Sequence, residues 1–338
     1  MSHVFENTRY SVLDLSPIVE GGTAADSYQN TVDLARRAEE RGYERFWLAE
    51  HHNMPFIGSS ATSVLIGHVA GATSSIRVGS GGIMLPNHAP LMIAEQFGTL
   101  ETLYPNRIDL GLGRAPGTDQ PTMQALRRSS KSDGHDFPQM LAELRQYLDS
   151  QLTPENPRIR AFPGQGLDIP IWLLGSSGFS AQLAGQLGLP FAFASHFSPD
   201  NTIPAMNLYR ESFQPSHVLA EPYGMVCANV IAADTDDEAD YLSTTMMQQF
   251  LNMVRGTEMK LQPPVENMDR IWNENEKFSI QRQLGSSIVG GPEKVKNGLH
   301  RFLQDTQADE IMINAQIYDA EARLRSYDIA ADIMNGRI

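Results

Sequence analysis

One cysteine in 338 residues leaves no internal disulfide and no thiolate-based zinc site. Cys227 lies within the apolar run GMVCANVIA, where it reads as a small buried hydrophobe. Basic residues are also scarce. The 26 Lys and Arg stand against 40 Asp and Glu, a formal net charge of −14 that repels a polyanionic backbone. Nucleic acid is therefore not an expected partner, and the one short basic cluster, Arg127, Arg128 and Lys131, reads as a solvated loop or local anion contact. No run of about 18 apolar residues is present, so no membrane span is expected. The N-terminal stretch carries Glu6, Asp14 and Glu20 without an apolar secretory segment, and the expected location is cytoplasmic.

What the chain does have is alternation. Short runs rich in Val, Ile, Leu and Phe at 10–15, 45–49, 76–80, 107–112, 170–174, 190–195, 223–232 and 309–314 read as strands. Amphipathic segments lie between them. One starts near Asp26 as a cap, sets Tyr28, Val32, Ala35 and Ala38 on one face, and stops at Gly42. Another opens at Pro90, lines up Ile93, Phe97, Leu100 and Tyr104, and ends at Pro105. Near-continuous apolar strands separated by such helices imply parallel strands covered by helices. Eight units favour a closed α/β barrel, the TIM (β/α)8 fold, over an open doubly wound sheet. A single domain over 1–338 is expected, with insertions at about 114–170 and 236–290 that fit the repeat poorly and are of a kind used as lids.

In a parallel barrel the chemistry collects where strands end, so polar residues there are the candidates. FWLAEHHN brings Glu50, His51, His52 and Asn53 to the end of the second strand. Adjacent side chains of an extended segment face opposite ways, so one histidine looks inward and the other outward. The inward one is a proton donor or acceptor near neutral pH; the plain alternative is a pair of hydrogen-bonded strand-end residues. After the third strand, VGSGGIMLPNHAP offers Gly81 and Gly82, which either let a planar ligand approach the backbone or merely make a turn, followed by Asn87 and His88. RIDLGLGRAPG carries Arg114, an anion clamp or a surface ion pair. The loop of IWLLGSSGFSAQLAGQLGLP supplies Ser176, Ser177 and Gly178 at a helix N-terminus, the residue types of a phosphate cradle, with Arg114 to complete it. His196 closes FAFASH and lines the same mouth or supports it.

These segments in this order resemble the bacterial luciferase-like monooxygenases, flavin-dependent oxidoreductases with a TIM-barrel fold. The similarity runs nearly the whole chain. Its main pieces are FWLAEHH, the stretch from VGSGGIMLPNHAP to RIDLGLGRAPG, LLGSSGFSAQLAGQLGLPFAFASH, and VGGPEKV near Ser287 to Val295. The resemblance implies FMN, its phosphate on Ser176, Ser177 and Gly178 extending to Phe179, with Arg114 as its cation and His196 nearby. It implies His51 as the active-site histidine beside Glu50, and a non-prolyl cis peptide at Gly81-Gly82 beneath the flavin ring. It further implies a homodimer through the helices after the second and third strands, with His52 and Glu95 meeting across the interface.

The implied activity is a two-component monooxygenase: reduced FMN arrives from a separate NAD(P)H-dependent reductase, and dioxygen oxidises a small organic substrate. A deazaflavin-dependent dehydrogenase and a flavin-binding protein without turnover are the alternatives. A metal-dependent hydrolase is disfavoured because no histidine–carboxylate set has ligand spacing. Where the luciferases carry a reactive cysteine, this chain has Gly113, and the family's acidic residue in the phosphate loop is Ser176.

Overall fold

The computed structural model describes residues 2–114, 119–126, 136–155 and 157–338; the basic cluster at Arg127, Arg128 and Lys131 lies outside them. Among the described residues the strands are β1 (Arg9–Asp14), β2 (Arg45–Leu48), β3 (Arg77–Met84), β4 (Ile108–Gly113), β5 (Ile171–Gly175), β6 (Phe191–Phe193), β7 (Gly224–Ala232), β8 (Ile288–Gly290) and β9 (Glu310–Asn314). β1 to β6 pair in parallel in sequence order, β6 pairs with β7, β7 with β9, and β9 with β1. The ring therefore closes on eight parallel strands, the TIM barrel expected from the alternation.

All eight expected segments become barrel strands. β8 was not anticipated: three residues are too few to show a period, and the strand forms by pairing Ile288–Gly290 with Val230–Ala232 at the end of β7. The helices are α1 (Ser2–Glu6), α2 (Ala24–Arg41), α3 (Thr62–Ala72), α4 (Pro90–Leu103), α5 (Gln120–Leu126), α6 (Phe137–Leu148), α7 (Gly178–Leu187), α8 (Thr202–Ser212), α9 (Asp236–Arg255), α10 (Glu274–Gln283), α11 (Pro292–Thr306) and α12 (Ala320–Met334). The stretch 114–170 holds α5 and α6, and 236–290 holds α9, α10 and β8.

Strand side chains alternate between two buried layers. Val12, Phe46, Leu48, Val226 and Ile311 face out to the helices, while Leu13, Trp47, Met225, Cys227 and Met312 fill the barrel. Burial on both faces is why the strands read as continuous apolar runs. α2 begins three residues earlier than Asp26 implied. Thr23 is its N-cap and Asp26 the third helical residue of a reciprocal capping box, and Gly42 ends it in the left-handed region at φ 82°.

At the strand starts the barrel is plugged by charge. Asp109 accepts from Arg45 at 2.8 Å, Arg77 at 2.6 Å and the Trp47 indole at 3.1 Å. Glu310 accepts from Arg45 at 2.8 Å, Tyr223 at 2.9 Å and the Ser11 hydroxyl. Burial works against the Arg45 charge, but the two carboxylates outweigh it and push its pKa up.

Candidate functional site

The strand ends enclose a cavity of about 220 Å³ to which every barrel strand contributes. Its floor is apolar and rich in sulfur: Leu13, Trp47, Met225, Cys227 and Met312. Burial pushes the Cys227 thiol well up, so it stays protonated and inert. One wall is the Gly81-Gly82 peptide, which is cis. Neither glycine has room for a side chain. A Cβ on Gly81 would lie 2.7 Å from Leu13 Cδ1, and one on Gly82 2.7 Å from the Gly111 carbonyl oxygen. At Gly113 the space a Cβ would need is taken by the flexible end of Met84, with Cε at 2.4 Å. The position that carries a reactive thiol in the luciferases is thus filled here by a thioether from β3.

At the rim, Arg114 follows β4 and makes no hydrogen bond or ion pair among the described residues; its guanidinium stacks on the Phe179 ring at 4.3 Å. Ser176 and Ser177 line the cavity beside it. Ser177 is the N-cap residue of α7, but its hydroxyl makes no capping bond, so the first amides of the helix remain open. Gly178 starts α7 and Phe179 is its second residue; neither is among the residues lining the cavity, and Phe179 covers the arginine.

The expected division of the histidine pair is what the fold produces. His51 lines the cavity, whereas His52 turns back to Glu50, Nε2 to Oε1 at 2.8 Å. Glu50, expected beside His51 at the reacting centre, is not among the residues lining the cavity; its carboxylate is held by His52, His88 at 2.9 Å and the Met84 N–H at 3.0 Å. Burial alone would raise its pKa, yet the hydrogen bonds of His52 and His88 hold it at about 2. Glu50 therefore ties the end of β2 to the segment after β3 and positions the peptide that carries His51. His52 is engaged within its own chain rather than left only for Glu95.

His196 lines the opposite wall, with a buried Nδ1 that has no hydrogen-bond partner among the described residues. Burial and the neighbouring His51 push its pKa down to about 3, so it stays a neutral imidazole. Trp47, Met84, Met225 and Met312 were not singled out from the sequence. Their signal is the strand period combined with knowing which face is the inside, and one strand alone does not supply that. No group of three His, Cys, Asp or Glu among the described residues could hold a metal ion. No described helix is long and apolar enough to cross a membrane.

A family model described as luciferase-like monooxygenase matches residues 8–310. A luciferase-like monooxygenase of Escherichia coli K12 is 56% identical over 324 residues, 96% of each chain. Among solved structures, apo-MsnO8 is 35% identical and covers 97% of this chain and 98% of its own at a TM-score of 0.86. Two more distant structures share the fold. One is the oxygenating constituent of 3,6-diketocamphane monooxygenase from Pseudomonas putida in complex with FMN, 16% identical, covering 98% and 99%, TM-score 0.73. The other is an F420-dependent secondary alcohol dehydrogenase, 14% identical, covering 95% and 97%, TM-score 0.64.

Proposed function

The chain belongs to the luciferase-like monooxygenase family, and from that premise we propose that it is an FMN-dependent monooxygenase that oxidises a small organic substrate, with reduced FMN supplied by a separate NAD(P)H-dependent reductase. The observation that carries this reading is the rim: a guanidinium that makes no hydrogen bond or ion pair among the described residues, beside two serines and an uncapped helix N-terminus at one cavity. That donor set suits a phosphate monoester. The flat wall at Gly81-Gly82 and the apolar floor suit a planar ring. The donor set would serve any flavin with a phosphate there; the monooxygenase relatives favour FMN over a deazaflavin.

When bound, reduced FMN supplies the electrons that activate dioxygen. Arg114, Ser176, Ser177 and the α7 amides hold its phosphate. Trp47, Leu174, Met225 and Met312 keep water from the ring. His51 gives or takes the proton that oxygen transfer requires, and the neutral His196 faces it across the cavity. The test is anaerobic titration with reduced FMN followed by rapid mixing with dioxygen. Saturable binding and return of flavin colour in more than one resolved phase are expected. A single phase at the rate of free FMN overturns the monooxygenase reading, and tight binding of a deazaflavin but not FMN replaces it with the dehydrogenase.

We also propose a homodimer built on α3 and α4. Each helix exposes large apolar side chains among its outer polar residues: Val64, Met92 and Leu103 are 69%, 56% and 62% exposed. Light scattering on the eluting protein is expected to give twice the chain mass, and Met92→Lys to shift it toward a single chain. A wild-type mass of one chain rejects the dimer.

A further inference from the structure

The strand starts border another cavity, of about 580 Å³, at the opposite end of the barrel from His51. Much of its wall is apolar: Leu148 from α6, Pro170 before β5, Leu189 before β6, Leu219, and the rings of Trp172 and Tyr223. That size and lining are those of a small-molecule site. Arg145, in the last turn of α6, also lines it and is 9% exposed. Its guanidinium makes no hydrogen bond among the described residues, and its ion pair with Asp149, at 3.8 Å, is too long to be one. Asp149 is itself engaged, accepting from His217 Nε2 at 2.8 Å and from the Gln151 amide at 2.9 Å. Burial lowers the Arg145 pKa, and Asp149 offsets only part of that. Buried polar groups are ordinarily paired, so a guanidinium with open donors at a cavity wall calls for an acceptor from outside the chain.

The other charges lining the cavity are matched within the chain. Asp109 is shared by Arg45 and Arg77, Asp168 accepts from the Ser150 amide at 2.8 Å and hydroxyl at 3.0 Å, and Glu44 faces Arg9 at 3.4 Å. What is left open is one planar donor fork, which fits the two oxygens of a carboxylate. A phosphate monoester would bring a second negative charge into a space that Asp149, Asp168 and Glu44 also line, and an ammonium would face the arginine.

We propose that this cavity is a second ligand site, for a small monocarboxylate with an apolar body: Arg145 holds the head, and Leu148, Leu219 and Trp172 hold the body. The site stands apart from the flavin reading, because neither Arg114 nor any other residue of the strand-end cavity lines it. The probes are 3-phenylpropanoate, its uncharged amide 3-phenylpropanamide, propanoate, and 2-phenylethyl phosphate, each titrated calorimetrically into the full chain. 3-Phenylpropanoate is expected to bind at least about tenfold more tightly than the other three, since each lacks the charge, lacks the body or carries an excess charge. Arg145→Leu is expected to weaken it at least about tenfold and Arg114→Leu less than about twofold. Val218→Glu, at a wall position 40% exposed, is expected to weaken it at least about threefold by repulsion, with Arg145 intact.

Equal binding of acid and amide overturns the site, and equal binding of propanoate reduces it to an adventitious ion only. Tighter binding of the phosphate replaces the carboxylate as the ligand class. Binding that is kept in Arg145→Leu but lost in Arg114→Leu moves the ligand to the strand-end cavity and rejects the site, as does no binding at all. If Arg145→Leu fails to fold, the Val218 and Arg114 variants still decide.

Discussion

Replacing His51 with alanine is expected to lower turnover at least about 100-fold while changing FMN affinity less than about threefold. The two effects separate because the structure separates the groups behind them. Phosphate binding is assigned to Arg114, Ser176, Ser177 and α7, on the ends of β4 and β5, whereas His51 reaches the cavity from the end of β2. Of the Glu50, His51 and His52 run, only His51 lines the cavity, so no neighbour in that run can take over its proton. His196 is a poor substitute, since burial and His51 hold its pKa at about 3, too low for a base at neutral pH. Steady-state assays with a supplied reductase and equilibrium titration with FMN measure the two quantities on the same preparation. Parallel losses in turnover and affinity would sink the proton-transfer role and make His51 a cofactor ligand.

How much of this was legible beforehand depends on what each feature needs. The barrel strands were, because burial on both faces makes each one a compact apolar run, as in GMVCANVIA. β8 was not, because three residues acquire strand geometry only from the partner at Val230–Ala232. The opposite facing of His51 and His52 followed from strand geometry alone. The destination of Glu50 did not, since His88 lies 38 positions away and meets it only after β2 and β3 pair. Met84 beside Gly113 is a similar case: the glycine is visible in the sequence, but the side chain that uses its missing Cβ comes from the neighbouring strand.

Asp109→Ala is expected to destabilise the fold by at least about 3 kcal/mol, the cost of removing one partner from a buried ion pair. Asp109 is fully buried, and both its oxygens are occupied: Oδ1 by Arg77, Oδ2 by Arg45 and the Trp47 indole. Its loss leaves Arg45, 5% exposed, with Glu310 as its remaining carboxylate, and leaves the indole N–H inside the barrel with no acceptor. The exposed pair Arg282 and Asp200, with side chains 69% and 61% accessible, is the contrast. Breaking it by Asp200→Ala should shift the urea midpoint hardly at all, because solvent screens both charges before and after. Denaturant unfolding of the two variants, read by far-ultraviolet circular dichroism, makes the comparison. A loss under about 1 kcal/mol for Asp109→Ala would mean that the barrel base relaxes enough to rehydrate Arg45. The consequence reaches the cavity as well. Trp47 is bound to Asp109 through its indole at one end and forms the floor beneath Gly81 at the other, so a variant that stays folded should also bind FMN more weakly.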